Sequence, residues 1–257
     1  MVDVSTFFVE THTHLDMIKR KPEEVIEEAV QNRVIKMITI GTDLPSNKKS
    51  VEFAERFDEV YAAIGYHPNE SNLIDAAGWK ALEELAQKEK VVGIGETGLD
   101  YYRRRSTIRQ QMAAFEKHLD LARKADLPVI VHDREAHKDI LRILRERAGG
   151  LKVVIHCFSG DMDMAETCAE EGYYIGIGGV VTFRNAKALQ AIVKAYPMDR
   201  LLLETDSPFL APHPFRGKPN EPKYIPLIAQ KVSELKNISY QEVADITSVN
   251  CKTIFGI

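Results

Sequence analysis

Short apolar runs alternate along the chain with longer segments whose hydrophobic positions recur at helical spacing. The runs are Phe7–Val9, Ile35–Ile40, Val60–Ile64, Val91–Ile94, Pro128–Val131, Lys152–Ile155, Tyr173–Ile177 and Leu201–Leu203. Several are β-branched and apolar on both faces, the pattern of strands covered on both sides in a parallel sheet. Between them helical patterns cover, for example, Pro22–Asn32, Trp79–Lys88, Ile108–Lys124, Glu135–Arg147 and Asn185–Ala195. Pro22 suits a first helical turn, and Asp161 and Ser106 are expected N-caps. The proline-dense stretch Ser207–Pro226 reads as a long ordered loop after the last strand, being short for a linker. Strands alternating with helices predict an α/β fold, either a closed barrel or an open doubly wound sheet.

The polar residues that end the runs separate these two. Phe7–Val9 leads into Glu10-Thr11-His12-Thr13-His14, and Val91–Ile94 into Gly95-Glu96. Pro128–Val131 is followed by His132-Asp133, Lys152–Ile155 by His156-Cys157, and Leu201–Leu203 by Glu204-Thr205-Asp206. A (β/α)8 barrel gathers all of its C-terminal strand ends on one face, whereas an open sheet gathers only those at its switch point. The expectation is therefore a single (β/α)8 TIM-barrel domain over residues 1–257, with a long proline-rich loop after strand 8. His118 and His137 fall inside helical patterns and are expected on the solvated outside.

Composition narrows the function classes. A length of 257 residues and 44% hydrophobic content allow a full core. A net charge of -4 argues against coating nucleic acid or membrane by bulk electrostatics. It leaves a nuclease open, because bound cations can supply the positive charge that a phosphate needs. The cysteines Cys157, Cys168 and Cys251 form neither a disulfide framework nor a CxxC motif. The opening residues do not read as a signal peptide, and no run reaches the ~18 apolar residues of a membrane helix. A cytoplasmic setting is expected, with no membrane association and no obligate protein partner.

His12, His14, Glu96, His132, His156 and Asp206 together have the composition of a metal site. Gathering so many titratable groups without a partner charge is costly. Imidazole and carboxylate donors suit Zn, Mn, Co or Ni, and carboxylate-rich sites also accept Mg.

These residues sit in motifs that resemble the TatD-type metal-dependent deoxyribonucleases, within the amidohydrolase-like barrels. The motifs are Thr11-His12-Thr13-His14-Leu15-Asp16, Ile64-Gly65-Tyr66-His67-Pro68, Gly95-Glu96-Thr97-Gly98-Leu99-Asp100-Tyr101-Tyr102, His132-Asp133-Arg134, His156-Cys157-Phe158-Ser159-Gly160 and Glu204-Thr205-Asp206-Ser207-Pro208. Asn220-Glu221-Pro222 and the closing Asn250 with Phe255-Gly256 also fit. The departures are Glu10 for the usual Asp, Thr97 for Ile and Asn69 for a common His, and none removes a ligand. The resemblance implies two divalent cations, one held by His12, His14, Glu96 and Asp206. Glu96 would bridge to a second, held by His132 and His156.

The function so implied is phosphodiester hydrolysis of DNA by a metal-bridging hydroxide, with Asp206 orienting or deprotonating the water and passing its proton to the leaving group. His67 is a candidate phosphate or substrate donor. Arg103, Arg104 and Arg105, just after Tyr101-Tyr102, are a candidate phosphate clamp with tyrosines available to stack on bases. Glu204 and Asp133, and also Asp100, are candidates for orienting ligands. Two other classes remain open at this point. One is a hydrolase of a non-DNA ester or amide, such as a small phosphoester or an aminoacyl-tRNA ester. The other is a non-catalytic, metal-stabilised binding protein.

Overall fold

A computed structural model describes residues 6–103 and 105–257. Arg104, one of the candidate phosphate contacts, lies outside the described residues. The chain divides into two compact units, residues 6–38 with 161–257 and residues 39–160. Its eight strands belong to one sheet in the order β1-β2-β3-β4-β5-β6-β7-β8, the sequential order of a (β/α)8 barrel.

The first unit holds β1 (Phe8–Thr13), α1 (Pro22–Gln31) and the start of β2 (Val34–Ile40). It continues with α6 (Met162–Glu170), β7 (Tyr174–Ile177), α7 (Lys187–Ala195), β8 (Leu201–Leu203), α8 (Ile225–Lys236) and α9 (Tyr240–Phe255). Pro22 opens α1 and Asp161 caps α6 through Met164 N, as expected. β7 pairs β8 in parallel, and β1 in turn meets the end of β8. Thr11 Oγ1 donates to Leu203 O at 3.0 Å, and Thr13 bridges Ser207 in parallel. Contact between first strand and last is what an open sheet lacks.

The second unit holds α2 (Leu44–Arg56), β3 (Val60–Ile64), α3 (Ala76–Leu85), β4 (Val91–Asp100), α4 (Ile108–Ala125), β5 (Val129–Arg134), α5 (His137–Arg147) and β6 (Val153–Ile155). β3 to β6 pair in sequence, all parallel. Thr107, not Ser106, caps α4: its hydroxyl accepts from Gln110 N in a reciprocal capping box. Ser106 is buried and donates instead to Asn69 O or Asn72 Oδ1.

Three strands run further than their apolar periodicity. β1 continues to Thr13, β4 to Asp100 and β5 to Arg134, so Glu10, His12, Glu96 and His132 lie within strands. The ladder extends wherever backbone partners exist, and a polar side chain facing the interior does not stop it. Between Ile94 and Thr97 the register slips: three steps along β4 oppose two along β5, from Val129 to Val131. Such an extra residue bends the strand and re-aims a side chain, here at Glu96. Gly95 makes the bend at φ +151, and a Cβ there would stand 2.5 Å from Ile130 O.

His118 corrects the expectation of a solvated ring. It shares the inward stripe of α4 with Gln111, Phe115 and Ala122 and is fully buried. Its Nε2 accepts from Tyr66 N at 3.1 Å, so Nδ1 carries the proton and donates to Ala114 O at 2.7 Å. Burial outweighs the bond to Ala114 and holds its pKa down to about 4. His137 is also partnered, its Nδ1 lying 2.5 Å from Asp133 Oδ2. Among the described residues no helix is long and apolar enough to cross a membrane.

Candidate functional site

Among the described residues, potential ligands gather within each unit: His12, His14 and Asp206 in a first cluster, and in a second cluster two groups that share His132, one with Glu96 and His156 and one with His67 and Asp100. In the first, Glu10, His12 and His14 alternate along β1 and its end, so their side chains share a face. The imidazoles of His12 and His14 stand edge to face with centroids 5.2 Å apart. Asp206 Oδ1 lies 3.4 Å from His14 Nε2 and 3.9 Å from His12 Nε2. Backbone bonds set this arrangement: Asp206 N donates to His12 O at 2.9 Å and His14 N to Ser207 O at 2.8 Å. Asp206 takes a left-handed φ of +55, a conformation that aspartate tolerates better than most residues.

Beneath these residues Glu10 ties the two strands together. Its Oε1 accepts from His12 N and Thr205 N, both at 2.9 Å. Burial, opposed by those hydrogen bonds, pushes its carboxyl up to about 8. Glu204 is buried too, in space that Gly176 of β7 leaves open: a Cβ on Gly176 would lie 2.0 Å from Glu204 Oε2. Asn220 Nδ2 fastens the strand end by donating to Thr205 O at 2.8 Å.

In the second cluster, Glu96 Oε1 lies 3.3 Å from His132 Nδ1 and 3.3 Å from His67 Nε2, while Oε2 lies 3.8 Å from His156 Nε2. His132 Nδ1 and His156 Nε2 approach to 3.2 Å. His67 Nδ1 accepts from Asn69 N at 3.0 Å, which puts its proton on Nε2, directed at Glu96. His132 Nε2 faces Asp100 Oδ2 at 3.6 Å. Burial opposes a charged His132, but the nearby carboxylates of Asp100 and Glu96 outweigh it and raise the ring to about 9. Burial likewise opposes an ionised Asp100, and the facing His132 ring together with hydrogen bonds from Arg103 N and Asn69 Nδ2 outweigh that and hold it below the usual carboxylate range.

Both clusters have the composition and spacing that suit a divalent cation. Donor atoms at ~2.0–2.2 Å from a tetrahedral cation stand roughly 3.3–3.6 Å apart. The separations above run from 3.2 to 3.9 Å. The atoms offered by His12, His14 and Asp206 all lie within 4.8 Å of one another, as do those of Glu96, His132 and His156. Each set is two imidazoles and a carboxylate, a donor set that Zn, Mn, Co and Ni accept.

The other expected site residues divide. His67 joins Glu96, as described. Asp133 points away from the cluster, accepting from Ala136 N at 3.2 Å and pairing with His137, because it alternates with the inward-facing His132. Arg103 and Arg105 are exposed; Arg105 reaches Glu70 at 3.5 Å. Asp100 holds their loop, its Oδ1 accepting from Tyr102 N at 2.9 Å and Arg103 N at 2.8 Å. Tyr102 is exposed, with the Arg134 guanidinium 5.1 Å from its ring centre. Sequence reading assigned no role to Asn69, whose Nδ2 donates to Asp100 Oδ2 at 2.8 Å, or to Phe209, whose ring is 6.2 Å from His14. Their position beside ligand motifs was the available signal.

Residues 9–256 match the family described as TatD related DNase. YabD of Bacillus subtilis, an uncharacterized metal-dependent hydrolase, is 41% identical over 251 residues, covering 96% of this chain and 98% of its own. The 3'-5' ssDNA/RNA exonuclease TatD of Klebsiella pneumoniae is 35% identical over 246 residues, covering 93% of each. The crystal structure of YjjV, a TatD homologue from Escherichia coli K12, superposes with a TM-score of 0.91 at 31% identity, covering 97% of this chain and 98% of that one. The chain belongs to the TatD-related DNase family and is a metal-dependent hydrolase on a (β/α)8 barrel.

Proposed function

We propose that this hydrolase is a deoxyribonuclease that cleaves phosphodiester bonds with a divalent cation held in each cluster. The ligands would be His12, His14 and Asp206 in the first, and Glu96, His132 and His156 in the second. The carrying observation is the Glu96, His132 and His156 donor set with an exposed loop of arginine and tyrosine beside it, pinned by Asp100 next to His132; the His12, His14 and Asp206 set supplies a second group of the same composition. The 35% identical Klebsiella exonuclease supports a nucleic acid as substrate.

When bound, such cations polarise a phosphoryl oxygen and lower the pKa of water enough to supply hydroxide near neutral pH. The chain's own groups do the rest. Asp206 takes a proton from the attacking water at its carboxylate and returns it to the leaving oxygen as the phosphorus–oxygen bond breaks. Glu10, bound to His12 N and Thr205 N, keeps Asp206 and His12 in register. His67 Nε2–H donates to Glu96, and orients that carboxylate. Arg103 and Arg105 meet backbone phosphates, and Tyr102 offers a face to a base.

The test is incubation with Mg²⁺, Mn²⁺, Zn²⁺, Co²⁺ or Ni²⁺ in turn against end-labelled single- and double-stranded DNA and a panel of carboxylic esters and amides. Metal-dependent shortening of DNA supports the reading. Turnover confined to the esters or amides overturns it.

A further inference from the structure

Phe209 carries chemistry that neither cluster uses. It is 49% exposed and its neighbour Leu210 44%, two consecutive large apolar residues open to solvent. The Phe209 ring lies edge-on to His14, with centroids 6.2 Å apart at 69°.

Its backbone is anchored at both ends. Phe209 N donates to Asp206 O at 2.8 Å, and Phe209 O accepts from Asn220 Nδ2 at 2.6 Å, the same buried amide that binds Thr205 O. The chain then turns sharply at Leu210, with φ +52, where a branched side chain is seldom found. Gly179 lets the turn close, since a Cβ there would stand 2.3 Å from Leu210 O. His213 N then donates to Thr182 Oγ1 at 2.8 Å. Asp206 and Leu210, both at positive φ, thus flank an exposed ring on an anchored backbone. Strained positions of this kind persist where the surrounding structure holds them and where the presented group has a task.

We propose that Phe209 is the stacking surface for the nucleobase next to the phosphate bound at the His12, His14 and Asp206 cluster, and so a determinant of specificity for nucleotide over base-free phosphodiesters. This rests on the nuclease reading above. An aromatic ring accepts the face of any base, giving affinity for nucleic acid without a sequence code. A base also fits this surface better than a second phosphate would, because both exposed side chains are apolar.

The test compares thymidine 5'-(p-nitrophenyl phosphate) with methyl p-nitrophenyl phosphate, in the Mn²⁺-loaded enzyme. The readout is the ratio of their kcat/KM values. Phe209→Ala should lower the ratio about 5- to 150-fold, the span of a single base–aromatic stack. Phe209→Trp should keep or raise it, whereas Phe209→Leu, apolar but without a ring, should not restore it. An unchanged ratio in Phe209→Ala, or full restoration by leucine, overturns the stacking role. A wild-type enzyme that cleaves neither diester with any divalent cation overturns the nuclease reading, and this inference with it. Calorimetric titration of Phe209→Ala with Mn²⁺ separates stacking from damage to the cluster. Affinity should match wild type, and a parallel loss of Mn²⁺ binding counts against the proposal.

Discussion

Gly98 and His132 face each other across the β4–β5 ladder, and a Cβ on Gly98 would stand 2.2 Å from the His132 carbonyl oxygen. Gly98 also holds φ +136, a conformation open in practice to glycine alone. The strand that carries Glu96 can therefore lie against the strand that carries His132 only because position 98 lacks a side chain.

Gly98→Ala should consequently damage the second cluster more than the fold. The backbone conformation alone costs about 1–3 kcal/mol, and the clash adds to it. Thermal denaturation should show a lowered Tm, and metal analysis should show weaker loading of the Glu96, His132 and His156 set. Wild-type Tm and metal content in this variant would contradict the close approach.

His118 should give stability a pH dependence of its own. Its folded pKa is about 4 against an ordinary 6.5. Between these values the unfolded chain binds the proton and the folded chain does not, so stability falls as pH drops from about 6.5 to about 4. The loss then levels off, at an upper bound of roughly 3 kcal/mol. Denaturant melts across that window should show the slope, and His118→Gln, which keeps an acceptor for Tyr66 N, should flatten it.

Much of this architecture is legible in the chain because a barrel places chemistry at strand ends. The apolar runs locate all eight strands, and the polar residues after them mark the residues found in the two clusters. The ends of β1, β4 and β5 are not legible, because hydrophobic periodicity stops where a strand begins to carry buried polar groups. His118 misleads for a related reason. A histidine inside an outer helical pattern looks solvated until its place on the inward stripe and its two backbone partners, Tyr66 and Ala114, are known. Adjacency groups Asp133 with His132, although alternation along a strand turns neighbours to opposite faces. Phe209 is hidden in a proline-rich loop whose path no periodicity describes.

Asp206→Asn should separate metal binding from proton transfer. The amide keeps an oxygen donor at this position but takes up no proton at neutral pH, so kcat should fall about 100- to 10,000-fold. Single-turnover rates with loaded metal, measured beside metal content, check this. Full turnover with both cations bound would remove Asp206 from the role of base.

The arginine loop should act through phosphate charge. Replacing Arg103, Arg104 and Arg105 by alanine should weaken binding of single-stranded DNA and reduce its salt dependence, by ~0.7 in log–log slope for each phosphate no longer neutralised. Fluorescence anisotropy over a salt series reads both quantities. An unchanged slope would mark Arg103 and Arg105 as solvated surface charges.

The central claim is that two donor sets, each of two histidines and a carboxylate, hold the cations on which phosphodiester cleavage depends. It is tested most directly by stripping the protein with a chelator, dialysing the chelator away, and following cleavage of end-labelled DNA as Mn²⁺ or Zn²⁺ is returned. Cleavage should be absent in the stripped protein and should rise with metal to a plateau near two cations per chain. Undiminished DNA cleavage by the stripped protein would contradict the account.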